Sequence, residues 1–271
     1  MEDGKVTIEI KNLLSKIEHY TLFKEHPIYF VGGTALSTYL DHRISYDIDF
    51  ICDAKLPVNA INAFAFSIGA TPVPDRAKAS AFRINKGENL ENYHLKYMVD
   101  GVKMEFSYFD DPLISVILEA ATVEPYSAES HLVKLSLNDI VKLKSIALFR
   151  RQKSRDLFDM AILLERGLTS LDELQRIYAF TKQKDGLLRE YIEQFHIKSE
   201  EEDDTSLDFL PEHAHYKTFV KLDQDARFLL CKSMFLEQLD AQLKEKLKTK
   251  QQTVRAGLKE KKRINNHETG N

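Results

Sequence analysis

The spacing of apolar and polar residues in the first half of the chain alternates between the helical and the extended pattern. The helices predicted from a spacing of three to four residues cover 6–20, 34–40, 58–68 and 113–121. The strands predicted from short apolar runs cover 28–31, 46–51 and 79–84. Gly69 marks the end of the third helix, and Pro72 and Pro74 mark a loop. This order of elements predicts a mixed sheet with helices packed against it.

Two further strand-like runs, 93–99 and 102–109, are separated by an Asp-Gly pair that is typical of a two-residue β-hairpin turn. In the second run, apolar residues alternate with Lys103, Glu105 and Ser107. These three polar side chains are therefore predicted to share one face of the strand.

The second half of the chain has helical periodicity and a higher density of charge. A helix without Gly or Pro is predicted over 138–164, and another over 171–195 with a break at Gly186. Residues 219–247 are apolar-periodic and predict a third helix, whereas the acidic run 199–204 predicts an exposed linker.

The change in character near residue 136 predicts an α/β core, 1–135, followed by a mainly helical C-terminal domain, 136–271. Within the second unit, residues 244–263 contain nine Lys or Arg and two Glu, a local charge of +7 in a chain of net charge −4. Such a tail either attracts nucleic acid electrostatically or is a frayed, solubilising end.

The composition is that of an ordinary globular protein. Hydrophobic residues make up 43% of the chain, and no apolar run is long enough for a membrane helix. The N-terminus is charged and lacks the apolar core of a signal peptide. Cys52 and Cys231 form neither a zinc nor a disulfide pattern. We therefore expect a cytoplasmic, reduced protein that does not contact a membrane.

The most informative chemistry lies between residues 30 and 50. Asp47 and Asp49 are two residues apart on a predicted strand, so their side chains share one face. Paired carboxylates in an apolar strand need a cation, and Mg²⁺ or Mn²⁺ prefers such oxygen ligands. Gly32 and Gly33 precede a predicted helix, where the backbone can approach an anion closely. A simple turn and a solvated strand edge are the structural alternatives.

Glu105 is the candidate for a third carboxylate at the same site. It is the acidic residue on the polar face of the second predicted strand of the hairpin. The alternative is an exposed strand glutamate that lies opposite Lys96 or near Lys103.

The predicted helix 138–164 carries a basic stripe. The residues on this stripe are Lys144, Leu148, Arg151 and Arg155, with Asp159 close by. Beside a carboxylate site, a basic stripe suits a triphosphate or an RNA backbone. The alternative is a solvated face with intrahelical ion pairs, such as Lys153 with Asp156.

Together, these motifs resemble the nucleotidyltransferase superfamily that includes DNA polymerase beta, and within it the AbiEii-type toxin family. The matching positions are Gly32, Gly33, Thr34, Ala35 and Leu36, then Arg43, Ser45, Asp47 and Asp49, then Lys144, Ala147, Arg151, Lys153, Arg155, Asp156 and Asp159. The resemblance covers residues 25–165.

The resemblance implies an α+β fold, a nucleotidyltransferase-like mixed β-sheet with flanking helices that is followed by a helical C-terminal region. It also implies a metal-dependent enzyme that moves an NMP from an NTP to an acceptor hydroxyl. Asp47, Asp49 and Glu105 are the expected metal ligands, and all three are expected catalytic residues. The resemblance adds Lys144 and Asp156 to the active site.

Nucleotide binding is expected to involve a larger set of residues. This set is Gly32, Gly33, Thr34, Arg43, Ser45, Arg151 and Lys153. We expect the glycine pair and the Thr34 hydroxyl to contact phosphates, and Lys144 and Arg151 to offset charge on the leaving pyrophosphate. Lys142 lies two positions from Lys144, so the register of the active-site lysine stays open.

The resemblance further implies a toxin of a toxin–antitoxin or abortive-infection system, with a cognate antitoxin as partner. An RNA, by resemblance a tRNA, is the expected acceptor. Transfer to a small molecule or a protein hydroxyl is one alternative. The other is a non-catalytic protein of the same fold that binds nucleotides or nucleic acid.

Overall fold

The computed structural model describes residues 6–182, 186–196, 207 and 222–268, with the backbone alone for 257–268. The acidic run 199–204 lies outside these residues. None of the helices in the described ranges combines the length and the apolar character that a bilayer crossing needs.

Within the described residues, seven strands form one mixed sheet. They are β1 (Ile28–Val31), β2 (Asp47–Cys52), β3 (Thr71–Pro72), β4 (His94–Val99), β5 (Val102–Tyr108), β6 (Val123–Pro125) and β7 (Val133–Leu135). Their order across the sheet is β3-β4-β5-β2-β1-β7-β6. The β2–β5 and β1–β7 pairs are parallel, and the other neighbours are antiparallel.

Eleven α-helices are found in the described residues, besides a 3₁₀ helix over Leu90–Asn92. They are α1 (Ile8–Ile17), α2 (Leu22–Glu25), α3 (Gly32–Leu40), α4 (Val58–Ser67), α5 (Arg76–Lys86), α6 (Pro112–Glu119), α7 (Leu137–Arg150), α8 (Ser154–Glu165), α9 (Leu171–Lys182), α10 (Leu188–Glu193) and α11 (Gln224–Glu268). The predicted fold class, a mixed sheet with flanking helices followed by a helical region, is confirmed.

The predicted hairpin of β4 and β5 is present. Asp100 and Gly101 both have positive φ angles, 51° and 79°, as a turn that follows the twist of the strands requires. On β5, Val102, Met104 and Phe106 are buried and alternate with the polar face. This alternation fixes which residues of β5 lie on the polar face of the sheet.

The prediction of a strand over 79–84 is wrong, because these residues lie in α5. The Asp75 side chain accepts a hydrogen bond of 2.9 Å from the Lys78 amide and caps the helix, and Gly87 ends it in the left-handed region. No residue of α5 is buried. Its Ala, Lys and Arg residues favour a helix more strongly than the short apolar alternation favours a strand.

The prediction of one continuous helix over 138–164 is also wrong, because the chain breaks between α7 and α8. Arg151 ends α7 with extended φ and ψ angles of −132° and 134°. The break turns α8 back against α7, which lets both helices bury apolar faces. The basic stripe therefore does not exist as one helix surface.

The C-terminal helix packs against α8. Phe228, Phe235 and Leu239 of α11 are fully or almost fully buried, whereas Leu229 is 62% exposed. Because α8 carries Asp156 and Asp159, the packing of α11 supports the helix that holds these two residues.

Candidate active site

The sheet brings the three predicted carboxylates to one cavity of about 280 Å³. In the parallel β2–β5 pair, Asp49 lies opposite Glu105 and Asp47 lies opposite Lys103. All four side chains point to the same face because residues two apart on a strand do so. This register could not be deduced from either strand alone.

The glycine pair forms the start of α3 beside these carboxylates. Gly32 has a φ angle of +81°, and a Cβ atom added there would lie 2.0 Å from Asp49 Oδ2. A Cβ atom on Gly33 would lie 2.7 Å from Arg43 Nη2 and 2.9 Å from Ser45 Oγ. The glycines therefore let the helix N-terminus, with its unpaired amides, approach the carboxylates and Arg43.

Thr34 does not reach the cavity with its hydroxyl. The side chain is fully buried, and Oγ1 donates to the backbone carbonyl of Asp47. This bond ties α3 to the start of β2, so the expected phosphate contact by the hydroxyl does not fit the structure.

Lys103 lies between two of the carboxylates. Its Nζ is 2.8 Å from Asp47 Oδ2 and 3.3 Å from Glu105 Oε1. Lys96 approaches Glu105 Oε1 at 3.3 Å from β4. The polar face of β5 thus carries both a candidate ligand and a cation that pairs with it.

The surroundings shift the pKa values of Asp49 and Glu105 in opposite directions. Burial, followed by the negative charges of Glu105 and Asp47, raises the pKa of the Asp49 carboxyl. Burial also acts to raise the pKa of Glu105, but the charges of Lys103 and Lys96 outweigh it, and that pKa is lowered. The charge of Asp49 is therefore less well compensated than that of Glu105.

A divalent cation fits the chemistry of this donor set. Within the described residues, no three His, Cys, Asp or Glu side chains are already gathered tightly enough to hold a metal ion. However, Asp47, Asp49 and Glu105 line the same cavity. The pKa of Asp49 is raised by its burial and then by repulsion from Glu105 and Asp47, and a cation there would compensate its buried charge and relieve that repulsion.

Helices α7 and α8 form the opposite wall through a buried network of charges. Lys144 Nζ lies 2.8 Å from Asp159 Oδ2 and 3.6 Å from Asp156 Oδ1. Arg151 donates two hydrogen bonds to Asp156, of 2.7 and 3.0 Å, and Arg43 donates two to Asp159, of 2.6 and 3.0 Å.

These cations hold both aspartates in their charged form. Burial alone would raise the pKa of Asp156, but Arg151 and Lys144 lower it to about 2. The pKa of Asp159 lies well below its usual range, because Arg43 and Lys144 outweigh its burial. Asp156 and Asp159 therefore fix the basic side chains of the wall.

The residues predicted to form the site divide into two groups. Those that line the cavity are Gly32, Gly33, Arg43, Ser45, Asp47, Asp49, Glu105, Lys144 and Arg151. Thr34, Lys153 and Asp156 are not among the lining residues. Lys142 Nζ binds Asp139 Oδ1 at 2.9 Å and does not line the cavity, which favours Lys144 as the lysine of the site.

Three contributions were missed at the level of sequence. Lys103 could have been found, because it shares the polar face of β5 with Glu105. Asp159 matched a motif position, but its contact with Lys144 depends on the break between α7 and α8. His42 binds Asp159 at 2.9 Å and is stacked on Phe158, and no sequence pattern indicated this contact.

Comparison with known proteins supports the same family. Residues 18–250 match the family described as "Nucleotidyl transferase AbiEii toxin, Type IV TA system". No curated protein matches the sequence. This family match covers most of the chain and confirms the resemblance that the motifs indicate.

Several solved structures are similar at low identity. JHP933 from Helicobacter pylori has 21% identity and a TM-score of 0.44, over 94% of this chain and 98% of its own. MenT4, a nucleotidyltransferase toxin from Mycobacterium tuberculosis, has 14% identity and a TM-score of 0.42, over 85% and 91%. A tRNA-processing enzyme has 12% identity and a TM-score of 0.39, over 86% and 59%. From its sequence match, the chain belongs to the AbiEii family of nucleotidyltransferase toxins of type IV toxin–antitoxin systems.

Proposed function

We propose that this protein is a metal-dependent nucleotidyltransferase that moves an NMP from an NTP to a hydroxyl of an RNA, with a tRNA as the expected acceptor. It would act in the cytoplasm and be restrained by a cognate antitoxin. The observation that carries the proposal is the meeting of three carboxylates, a helix N-terminus and a basic wall in one cavity.

The proposed division of labour follows from these positions. Asp47, Asp49 and Glu105 would hold Mg²⁺ or Mn²⁺. When bound, the cation neutralises the triphosphate and lowers the pKa of the acceptor hydroxyl. Glu105 also accepts the proton that this hydroxyl loses.

The remaining residues bind and orient the nucleotide. The amides of Gly32 and Gly33, at the N-terminus of α3, donate to the phosphates. Lys144 and Arg151 offset the charge that grows on the leaving pyrophosphate. Asp156 acts as a positioning residue, because it lies behind the wall and orients Arg151.

The test is transfer of label from each radiolabelled NTP to total RNA in the presence of Mg²⁺. We expect transfer by the wild type and none by the Asp47→Asn/Asp49→Asn double variant. Asp53→Asn is the matched control, because it removes an exposed carboxylate just after β2 and outside the cavity.

The acceptor is decided by the same experiment. Label in the tRNA fraction supports the proposal in full. If the label appears instead in protein or in a small molecule, and the double variant does not transfer it, the protein is a nucleotidyltransferase with an acceptor other than RNA. Equal transfer by the double variant and the wild type would show that these aspartates do not carry the reaction.

A further inference from the structure

Lys103 occupies the space between two of the carboxylates that are proposed to bind the cation. Its Nζ contacts Asp47 Oδ2 at 2.8 Å and Glu105 Oε1 at 3.3 Å. The contact is built into the sheet, because Lys103 lies opposite Asp47 in the β2–β5 register and two residues before Glu105. The side chain is 27% exposed and lines the cavity.

An ammonium group and a divalent cation that bridge the same two carboxylates compete for the space between them, and both positive charges would lie there together. Mg²⁺ needs its oxygen ligands at about 2.0–2.1 Å in a near-octahedral shell. A cation between Asp47 and Glu105 would therefore lie against the present position of Lys103 Nζ, where repulsion between the two charges is strong.

A second position for the Lys103 ammonium, at the phosphates of the nucleotide, lies within the same cavity. Its four-carbon stem is flexible, and its ammonium carries three donors that suit phosphate oxygens. The cavity that it lines is the one in which the phosphates of the nucleotide are proposed to lie, beside Gly32 and Lys144.

We propose that Lys103 is a tethered counter-ion that the divalent cation displaces, and that its ammonium then pairs with the phosphates of the bound nucleotide. This inference rests on the proposed function. Lys103 would thus weaken metal binding in the absence of nucleotide, contact the phosphates when the nucleotide is bound, and couple the two binding events.

Lys96 provides an internal comparison. It carries the same charge and approaches the same oxygen, Glu105 Oε1, at the same 3.3 Å. Unlike Lys103, it lies on β4 and does not line the cavity. Removing either lysine changes the local charge by one unit, but only the removal of Lys103 clears the space between Asp47 and Glu105.

The test is the dissociation constant for Mn²⁺, measured by electron paramagnetic resonance on nucleotide-free protein. We expect Lys103→Met to bind Mn²⁺ at least about tenfold more tightly than the wild type, since the competing ammonium is gone. Lys103→Arg keeps the charge and should stay close to the wild type. Lys96→Met should gain less than about threefold.

A second measurement adds a non-hydrolysable NTP analogue. In the wild type, the analogue should tighten Mn²⁺ binding more than in Lys103→Met, because only the wild type has an ammonium to transfer to the phosphates. Circular dichroism spectra that match the wild type establish that each variant is folded.

The outcomes separate this inference from the proposed function. Suppose that Lys103→Met increases the affinity for Mn²⁺ no more than Lys96→Met does, while Asp49→Asn abolishes Mn²⁺ binding. The cation site is then supported, and the proposed displacement of Lys103 is wrong. If Asp49→Asn still binds Mn²⁺, or if neither the wild type nor any variant binds it, both the cation site and this inference are wrong.

Discussion

Gly32 and Asp49 have to be considered as a pair, because a side chain at residue 32 would overlap the Asp49 carboxylate. The added Cβ atom would lie 2.0 Å from Asp49 Oδ2, far inside van der Waals contact. Gly32 also has a φ angle of +81°, which L-residues rarely adopt. The glycine therefore meets one requirement of the backbone and another of the site.

We expect Gly32→Ala to abolish nucleotidyl transfer and to lower the free energy of unfolding by more than about 1 kcal/mol. The methyl group forces Asp49 away from the other carboxylates. Gly69→Ala is the matched control, because Gly69 has a φ angle of +77° and nothing lies within 4 Å of its added Cβ atom. Urea unfolding and the transfer assay, run on both variants, measure the two effects.

Gly69→Ala should lower the free energy of unfolding, because its backbone also has a positive φ angle, but it should retain nucleotidyl transfer. If Gly32→Ala and Gly69→Ala lose the same stability and both retain transfer, the contact between residue 32 and Asp49 has no role.

A different prediction concerns the charge on Asp49. Its pKa is raised in the folded protein, so the ionised carboxylate destabilises the fold at pH above its ordinary value of 3.8. Asp49→Asn should therefore raise the melting temperature of the metal-free protein at pH 7 while it abolishes transfer. The gain should shrink as the pH falls towards the ordinary value, where the wild-type carboxyl in the unfolded chain also becomes protonated.

Thermal unfolding between pH 4 and pH 8 in the presence of a chelator measures this difference. A lower melting temperature for Asp49→Asn at pH 7 would show that Asp49 is stabilised by its surroundings, contrary to its raised pKa.

At the scale of elements, the break between α7 and α8 creates the basic wall of the cavity. Lys144 on α7 and Arg43, on the connection from α3 to β2, converge on Asp159 of α8. One buried carboxylate therefore links three parts of the fold. The ion pairs join elements that a single continuous helix would have kept apart.

Asp159→Asn should lower the free energy of unfolding by about 3–5 kcal/mol, because the buried charges of Arg43 and Lys144 would lose the carboxylate that compensates them most closely. Asp240→Asn is the control, since Asp240 pairs with Arg189 at 2.6 Å where both side chains are more than 30% exposed. The control should cost at most about 1 kcal/mol. Urea unfolding at pH 7 compares the two.

The pH dependence gives a second check on Asp159. Its folded pKa is lowered, so its stabilisation is present above its ordinary range and is lost as the pH falls through that range and below it. The difference in the free energy of unfolding between the wild type and Asp159→Asn should therefore become smaller as the pH falls. A small difference at pH 7, or a difference equal to the one measured for Asp240→Asn, would contradict the buried network.

At the scale of the whole molecule, α11 has an attached and an exposed part. Phe228, Phe235 and Leu239 are buried against the rest of the protein, and Gln242 accepts a hydrogen bond of 2.8 Å from the Leu171 amide. Beyond Leu243, every described side chain is exposed up to residue 256. The basic tail 244–263 thus begins where packing ends.

Truncation after Leu247, which removes 248–271, should change the free energy of unfolding by less than about 1 kcal/mol, because the described side chains that it removes are exposed. If the tail binds RNA, truncation should also reduce the slope of log affinity against log salt by about 1 for each phosphate that the protein no longer neutralises. Urea unfolding and RNA titrations at several salt concentrations measure the two effects.

The full-length variant Lys248→Gln/Lys250→Gln/Arg255→Gln controls for chain length and should reduce the salt slope in the same direction. An unchanged slope in both would identify the tail as a solubilising end. A loss of stability well above 1 kcal/mol on truncation would show that this part of the helix packs after all.

The elements that sequence alone predicted best are those with a local cause. The hairpin around Asp100 and Gly101 follows from turn chemistry, and the shared face of Asp47 and Asp49 follows from the period of a strand. The strand predicted over 79–84 failed because a capped, exposed helix carries few apolar residues from which its period could be recognised.

The sequence by itself determined the family, the mixed sheet with its helices, and the faces on which the carboxylates and glycines lie, because these depend on motifs and on local periodicity. Only the tertiary structure decided which partners these groups meet. The β2–β5 register placed Lys103 between Asp47 and Glu105, and the break after α7 brought Lys144 to Asp159. Strand register and helix breaks are settled by long-range packing, which no local pattern in the chain encodes.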